Sequence, residues 1–151
     1  MTASTHFTQH RSTAPFALAL MFVAALLPIH AARAADAKAT HCAALAQQML
    51  AALVRGDNHG AARAFDADMR SALPPQKLSE LWAQVKSNYG DYKTSRDART
   101  LRVNGVDVVI TPLRFARTAL DAQVACNDKG QIAGFYLRPE QLQTQAAAQH
   151  L

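Results

Sequence analysis

The dipeptide Asn104-Gly105 constrains this chain more than any other feature, because it fixes how two apolar segments must pair. Asn-Gly supplies the two positive-φ residues of a type I′ turn, the tightest connection between antiparallel strands. A two-residue loop there pairs Val103 with Val106, Leu101 with Val108 and Arg99 with Ile110, all on one sheet face. Pro112 cannot donate to a ladder, which predicts a bulge or an edge at that point. A one-residue bulge would return Leu113 and Phe115 to the face of Val106, Val108 and Ile110. The following strand alternates Leu120, Ala122, Val124 and Cys126 against Asp121, Gln123 and Asn127. Asn127-Asp128-Lys129-Gly130 then reads as a longer hairpin turn with glycine in the left-handed position. A last strand runs from Gln131 to Leu137, stopped by Arg138-Pro139. Pairing Cys126 with Ile132 sets Gln123 opposite Phe135 and Asp121 opposite Leu137. Val109, Phe135 and Leu137 are therefore expected on the outer face, as a surface for a homodimer or another protein partner.

Upstream of residue 91 the apolar period is helical. Thr40 is a candidate N-cap for a helix ending at Arg55-Gly56, with Cys42, Leu45, Met49 and Leu53 on one face. Asp57 can cap a second, shorter helix carrying Ala61, Ala64 and Phe65. Pro74-Pro75 opens a third, since proline is tolerated only in the first helical turn. Its buried stripe is Leu78, Leu81, Trp82, Val85 and Tyr89, closed by Gly90. The expected class is α+β, with three N-terminal helices packed on a four-stranded antiparallel meander.

The amino-terminal 34 residues have a different character. Residues 1–15 hold no acid, and Phe16 to Ile29 is an unbroken apolar run. That run is shorter than the roughly 20 residues a membrane-spanning helix needs. Ala32-Arg33-Ala34 supplies the small-x-small pattern of a signal-peptidase site, so cleavage is expected after Ala34, with export to the periplasm or beyond and no membrane attachment afterwards. The competing reading is an uncleaved anchor. The expected organisation is a signal at 1–34, a lead-in at 35–40, the domain at 41–139, and a frayed helical or disordered tail at 140–151. Arg11 and Arg33 leave with the signal and all 11 acidic residues follow it, so the net charge falls from +5 to +3. The basic residues are dispersed, which argues against nucleic acid as a partner.

Cys42 and Cys126 are the only cysteines, and both lie beyond the expected cleavage site. Export leads to an oxidising compartment, and both residues point into the helix–sheet layer, so a Cys42–Cys126 disulfide is expected. Two buried free thiols are the alternative. His41 adjoins Cys42 without further ligands nearby, and no metal or cofactor motif is present. Candidate pocket residues are Trp82, Arg99 on the inward face near the sheet end, and Tyr136 beside Ile132. No catalytic set is assigned.

Leu53-Val54-Arg55-Gly56-Asp57, followed by Ala61, Ala62, Phe65 and Asp66, resembles the way the nuclear transport factor 2 and ketosteroid isomerase superfamily joins its first two helices. Ala72-Leu73-Pro74-Pro75-Gln76-Lys77-Leu78, Leu81-Trp82, Tyr89-Gly90, Val106-Asp107-Val108-Val109-Ile110, Leu120-Asp121 and Asp128-Lys129-Gly130-Gln131-Ile132-Ala133-Gly134 together resemble the bacterial family called domain of unknown function 3887. The resemblance covers about residues 43–139. It implies the cone-shaped, cystatin-like fold of nuclear transport factor 2 and ketosteroid isomerase, and an exported setting. It implies no activity. Isomerases of that fold set an acid and a tyrosine around a cavity between helices and sheet. The candidates here are Tyr92, Tyr136, Asp97 and Asp121. Tyr136 is expected inward and Asp121 outward, while Tyr92 is out of phase with Leu101 unless a bulge intervenes. An acid and a tyrosine are thus not expected to converge. The reading this supports is a non-catalytic binding or interaction domain. A small-molecule carrier or isomerase-like enzyme is the alternative.

Overall fold

The computed structural model describes residues 27–140, with side chains from Arg33 onward. The apolar run from Phe16 to Ile29 and the tail at 140–151 lie almost wholly outside that range. Four helices precede five strands: α1 (Leu27–Val54), α2 (Asn58–Ala61), α3 (Ala67–Ala72), α4 (Pro75–Tyr89), β1 (Tyr92–Ser95), β2 (Arg99–Val103), β3 (Val106–Phe115), β4 (Ala119–Cys126) and β5 (Ile132–Pro139). The class is α+β with an antiparallel sheet, but the expected three helices and four strands are corrected to four and five. The extra helix, α3, is a single turn and a half capped by Asp66, whose carboxylate accepts from Met69 N at 2.8 Å. Six residues are too few to show a helical period. The extra strand, β1, lies beside β2 along the same edge of β3.

Helix α1 also corrects the expected start at Thr40, and it runs through the expected lead-in and cleavage site. Two contacts hold its upstream part against the β4–β5 turn: Lys38 Nζ lies 3.4 Å from Asp128, and His41 Nε2 donates to the Gly130 carbonyl at 3.3 Å. Gly130 has a φ of +71°, and a Cβ there would stand 3.0 Å from the His41 ring, so glycine answers two demands at once. Within α1, Cys42, Ala46, Met49, Leu50 and Leu53 are buried, and in α4 so are Leu78, Trp82 and Val85. Pro74 and Pro75 open α4, and Gly90 ends it. Asp57 caps α2 through Gly60 N.

The sheet faces are where the sequence expectation fails. The hairpin register is as the Asn-Gly turn requires, with φ of 51° at Asn104 and 82° at Gly105. β3, however, carries no bulge against β4 at Pro112, which pairs directly with Asp121. The Pro112 carbonyl accepts from Arg96 N at 2.9 Å, so its missing N–H faces the same way, toward residues 96–98. Those residues are the gap between β1 and β2, so the lost hydrogen bond falls where the edge strand is already broken. Val109, Leu113 and Phe115 consequently share the inner face, and Val106, Val108 and Ile110 the outer one. A shift between Ala125 and Cys126 leaves Ala133 as an extra residue on β5, pairing Val124 with Phe135 and Gln123 with Tyr136. Val109 and Phe135 are therefore in the core and Leu137 packs against it, none of them on the outer face. Tyr136, expected inward, is 56% exposed.

Candidate functional site

Three surfaces carry the residues singled out from sequence, and they do not converge on one pocket. Trp82 is a core residue, its ring 5.6 Å from Phe115 and 6.4 Å from Tyr92. Arg99 and Tyr136 both lie on the outer face of the sheet, on opposite sides of the Ile110–Gln123 pair. Arg99 is thus corrected from inward to outward, for the same reason as Val106, Val108 and Ile110. Its guanidinium stands 3.8 Å from one oxygen of Asp121, whose side chain is only 3% exposed. The other oxygen of Asp121 has no partner. Arg96, from the gap in the edge strand, pairs with Glu140 just beyond β5.

Away from Gln123, Arg114 and Thr94, the rest of the outer face is largely apolar. Leu101, Val103 and Val106 are 40–49% exposed around the β2–β3 turn. Val108 pairs with Leu101 on one side and Ala125 on the other, and Ala125 with Gly134. The Tyr136 ring lies over Gly134, near enough that a Cβ there would meet it at 3.2 Å. An apolar band thereby crosses β2, β3, β4 and β5, bordered at one end by Arg99, Asp121 and Arg138. Sequence reasoning expected such a band but assigned it to the wrong residues.

The third surface is a groove of about 790 Å³ between α1 and the broken edge strand. Ala43, Ala44, Gln47, Leu50, Ala51 and Val54 form its helical wall. Tyr92 and the consecutive residues Ser95, Arg96, Asp97 and Ala98 form the other wall, over a floor of Thr111 and Leu113. A regular strand alternates its side chains, so Tyr92 and Ser95 would face opposite ways. A register shift between Tyr92 and Thr94 brings both to the groove. Tyr92 and Asp97 therefore line one space, a tyrosine and an acid that sequence reasoning kept apart. The only cue was the proviso that a bulge would rephase Tyr92.

Cys42 and Cys126 stand at disulfide distance, with Cα atoms 5.9 Å apart, linking α1 to the end of β4. Among the described residues there is no cluster of His, Cys, Asp or Glu able to hold a metal ion. No described helix is long and apolar enough to cross a membrane.

The family described as "Protein of unknown function (DUF3887)" matches residues 46–135, more than half of the chain. The chain belongs to that family. No curated protein and no solved structure matches it. The DUF3887 match runs from Ala46 in α1 to Phe135 in β5, so it takes in the groove's edge strand and Cys126. Cys42 and Tyr136 lie outside it.

Proposed function

We propose that this DUF3887 protein is an exported, non-catalytic interaction domain that associates with a second copy through the outer face of its sheet. The observation that carries this is the clustering of exposure. Of the five large hydrophobic residues most exposed among those described, Leu101, Val103, Val106 and Tyr136 share that one face. Scattered exposed apolar residues are ordinary, but a contiguous band rimmed by charge marks an interaction surface. A second copy is the occupant this band favours: an isologous interface needs a self-complementary patch, and small and aliphatic side chains with the charges confined to one end supply one. The finer likeness to the nuclear transport factor 2 cone belongs to the same proposal, as does export.

Val103→Glu puts a charge in the band without touching the core, since Val103 is 49% exposed. It is expected to weaken self-association about tenfold or more, or 1.4 kcal/mol, in sedimentation equilibrium over a concentration series. A wild-type protein that stays monomeric throughout that series would remove the proposal's support.

Export has its own check. Mature protein recovered from the producing cells is expected to begin at Ala35, read by amino-terminal sequencing. Cleavage there would place Asp36 in the first turn of the shortened α1, where a carboxylate interacts favourably with the helix N-terminus. A chain still beginning at Met1 would contradict the cleavage site and leave the anchor reading standing.

A further inference from the structure

The groove along α1 is separate from the association band and makes demands of its own. Thr40, Ala43, Ala44, Gln47, Leu50, Ala51, Val54 and Arg55 recur at helical spacing along it, a length of about 22 Å at 1.5 Å per residue. Alanines make that wall shallow, so a main chain can approach it closely. Thr111 on the floor is only 8% exposed. The Thr40 and Thr94 hydroxyls bond to nearby carbonyls, whereas that of Thr111 joins none of the described hydrogen bonds and opens on the groove. Three charged residues line the space, and Arg96 is already neutralised by Glu140. Arg55, just past the end of α1, and Asp97, in the gap of the edge strand, have no ion-pair partner among the described residues. The groove therefore offers an exposed cation and an exposed anion without ion-pair partners, the Thr111 hydroxyl, and otherwise mainly small apolar contacts.

We infer that the groove binds a short linear peptide with free termini, its amino group on Asp97 and its carboxylate on Arg55. A fatty acid would leave Asp97 unmatched, and an amine or a purely apolar ligand would leave Arg55 so. An extended tetrapeptide spans about 13 Å, which fits within the groove. Its amide groups meet the donors and acceptors of Gln47, Ser95 and Thr111, while small side chains lie against the alanines. The size is that of an ordinary small-molecule site. The inference does not depend on self-association, and a monomeric variant binds equally well.

Calorimetric titration of the mature protein with tetra-alanine tests this. Tetra-alanine with free termini is expected to bind. N-acetylation and Asp97→Asn should each weaken it about two- to fivefold, and so should C-amidation and Arg55→Gln, since both side chains are exposed. Acetylation should cost little more once Asp97 is asparagine. Ala51→Phe, at an exposed position on the groove wall, should abolish binding and leave thermal unfolding unchanged. Tyr92 lines the groove and its ring is 6.4 Å from that of Trp82, so the fluorescence of the single tryptophan should report occupancy. Absence of binding, equal affinity for the doubly blocked peptide, or binding of dodecanoate in place of tetra-alanine would each overturn the assignment. Unchanged affinity in Ala51→Phe would overturn the location.

Discussion

Replacing Cys42 and Cys126 together by alanine is expected to lower the unfolding free energy by roughly 4–5 kcal/mol. The two residues are 84 positions apart, so a bond between them closes a long loop in the unfolded chain and removes much of its freedom. Both are buried, and the pair ties α1 to the end of β4, two elements joined otherwise by side-chain packing. Domains of this size are typically stable by about 5–15 kcal/mol, so the loss would leave a marginal fold. Urea denaturation with and without reductant separates the loop from the side chains. The wild type should lose stability on reduction, and the double-alanine variant should be indifferent to it. A wild type indifferent to reductant, with both thiols alkylated in its absence, would show that the pair is two buried free thiols.

What could be read from the sequence divides along physical lines. The Asn104-Gly105 turn, the Asp57 cap, the Pro74-Pro75 opening of α4 and the stripes of α1 and α4 depend on neighbours in the chain. A few residues specify each of them, and each stands in the structure. The faces of the sheet depend on phase, and a single extra residue inverts a phase. β3 is apolar on both sides, with Val106, Val108 and Ile110 alternating against Val109, Leu113 and Phe115. Its pattern alone therefore could not say which side meets the helices. Pro112 drew the bulge to the wrong strand, because the vacancy it creates is absorbed by the gap at 96–98 in its neighbour. The bulge in β5, at Ala133, is marked only by the neighbouring Gly134, a weaker signal than a proline. These two errors together exchanged the faces and misplaced Val109, Phe135, Arg99 and Tyr136. The groove was hidden for the same reason, since it exists only because the edge strand is irregular at Lys93 and again at 96–98. Asp121 was correctly expected on the outer face. Its burial there, with the Arg99 guanidinium 3.8 Å away, had no local signal at all.

Phe65→Ala is expected to cost about 3–5 kcal/mol, the range for removing a fully buried aromatic ring. Phe65 is wholly buried, on the link between α2 and α3, where the chain crosses to β5 as a one-residue parallel bridge to Ile132. Ile132 N donates to the Ala64 carbonyl at 2.8 Å, and Asp66 N donates to the Ile132 carbonyl at 2.9 Å. The Asp66 carboxylate caps α3 and also accepts from Asn127 Nδ2 at 3.1 Å. The ring therefore holds a crossing at which α3, β5 and the β4–β5 turn meet, and a cavity there has few ways to collapse. Phe65→Leu keeps most of the volume and should cost under about 1.5 kcal/mol, which separates cavity from polar effects. Ile132 touches this crossing and pairs with Cys126, so the alanine variant should not be additive with loss of the cysteine pair. A double-mutant cycle by urea denaturation should give a coupling of about 0.5 kcal/mol or more. Strict additivity would mean that α1 and the α2–α3 link are fastened to the sheet independently, despite meeting on the same two strands.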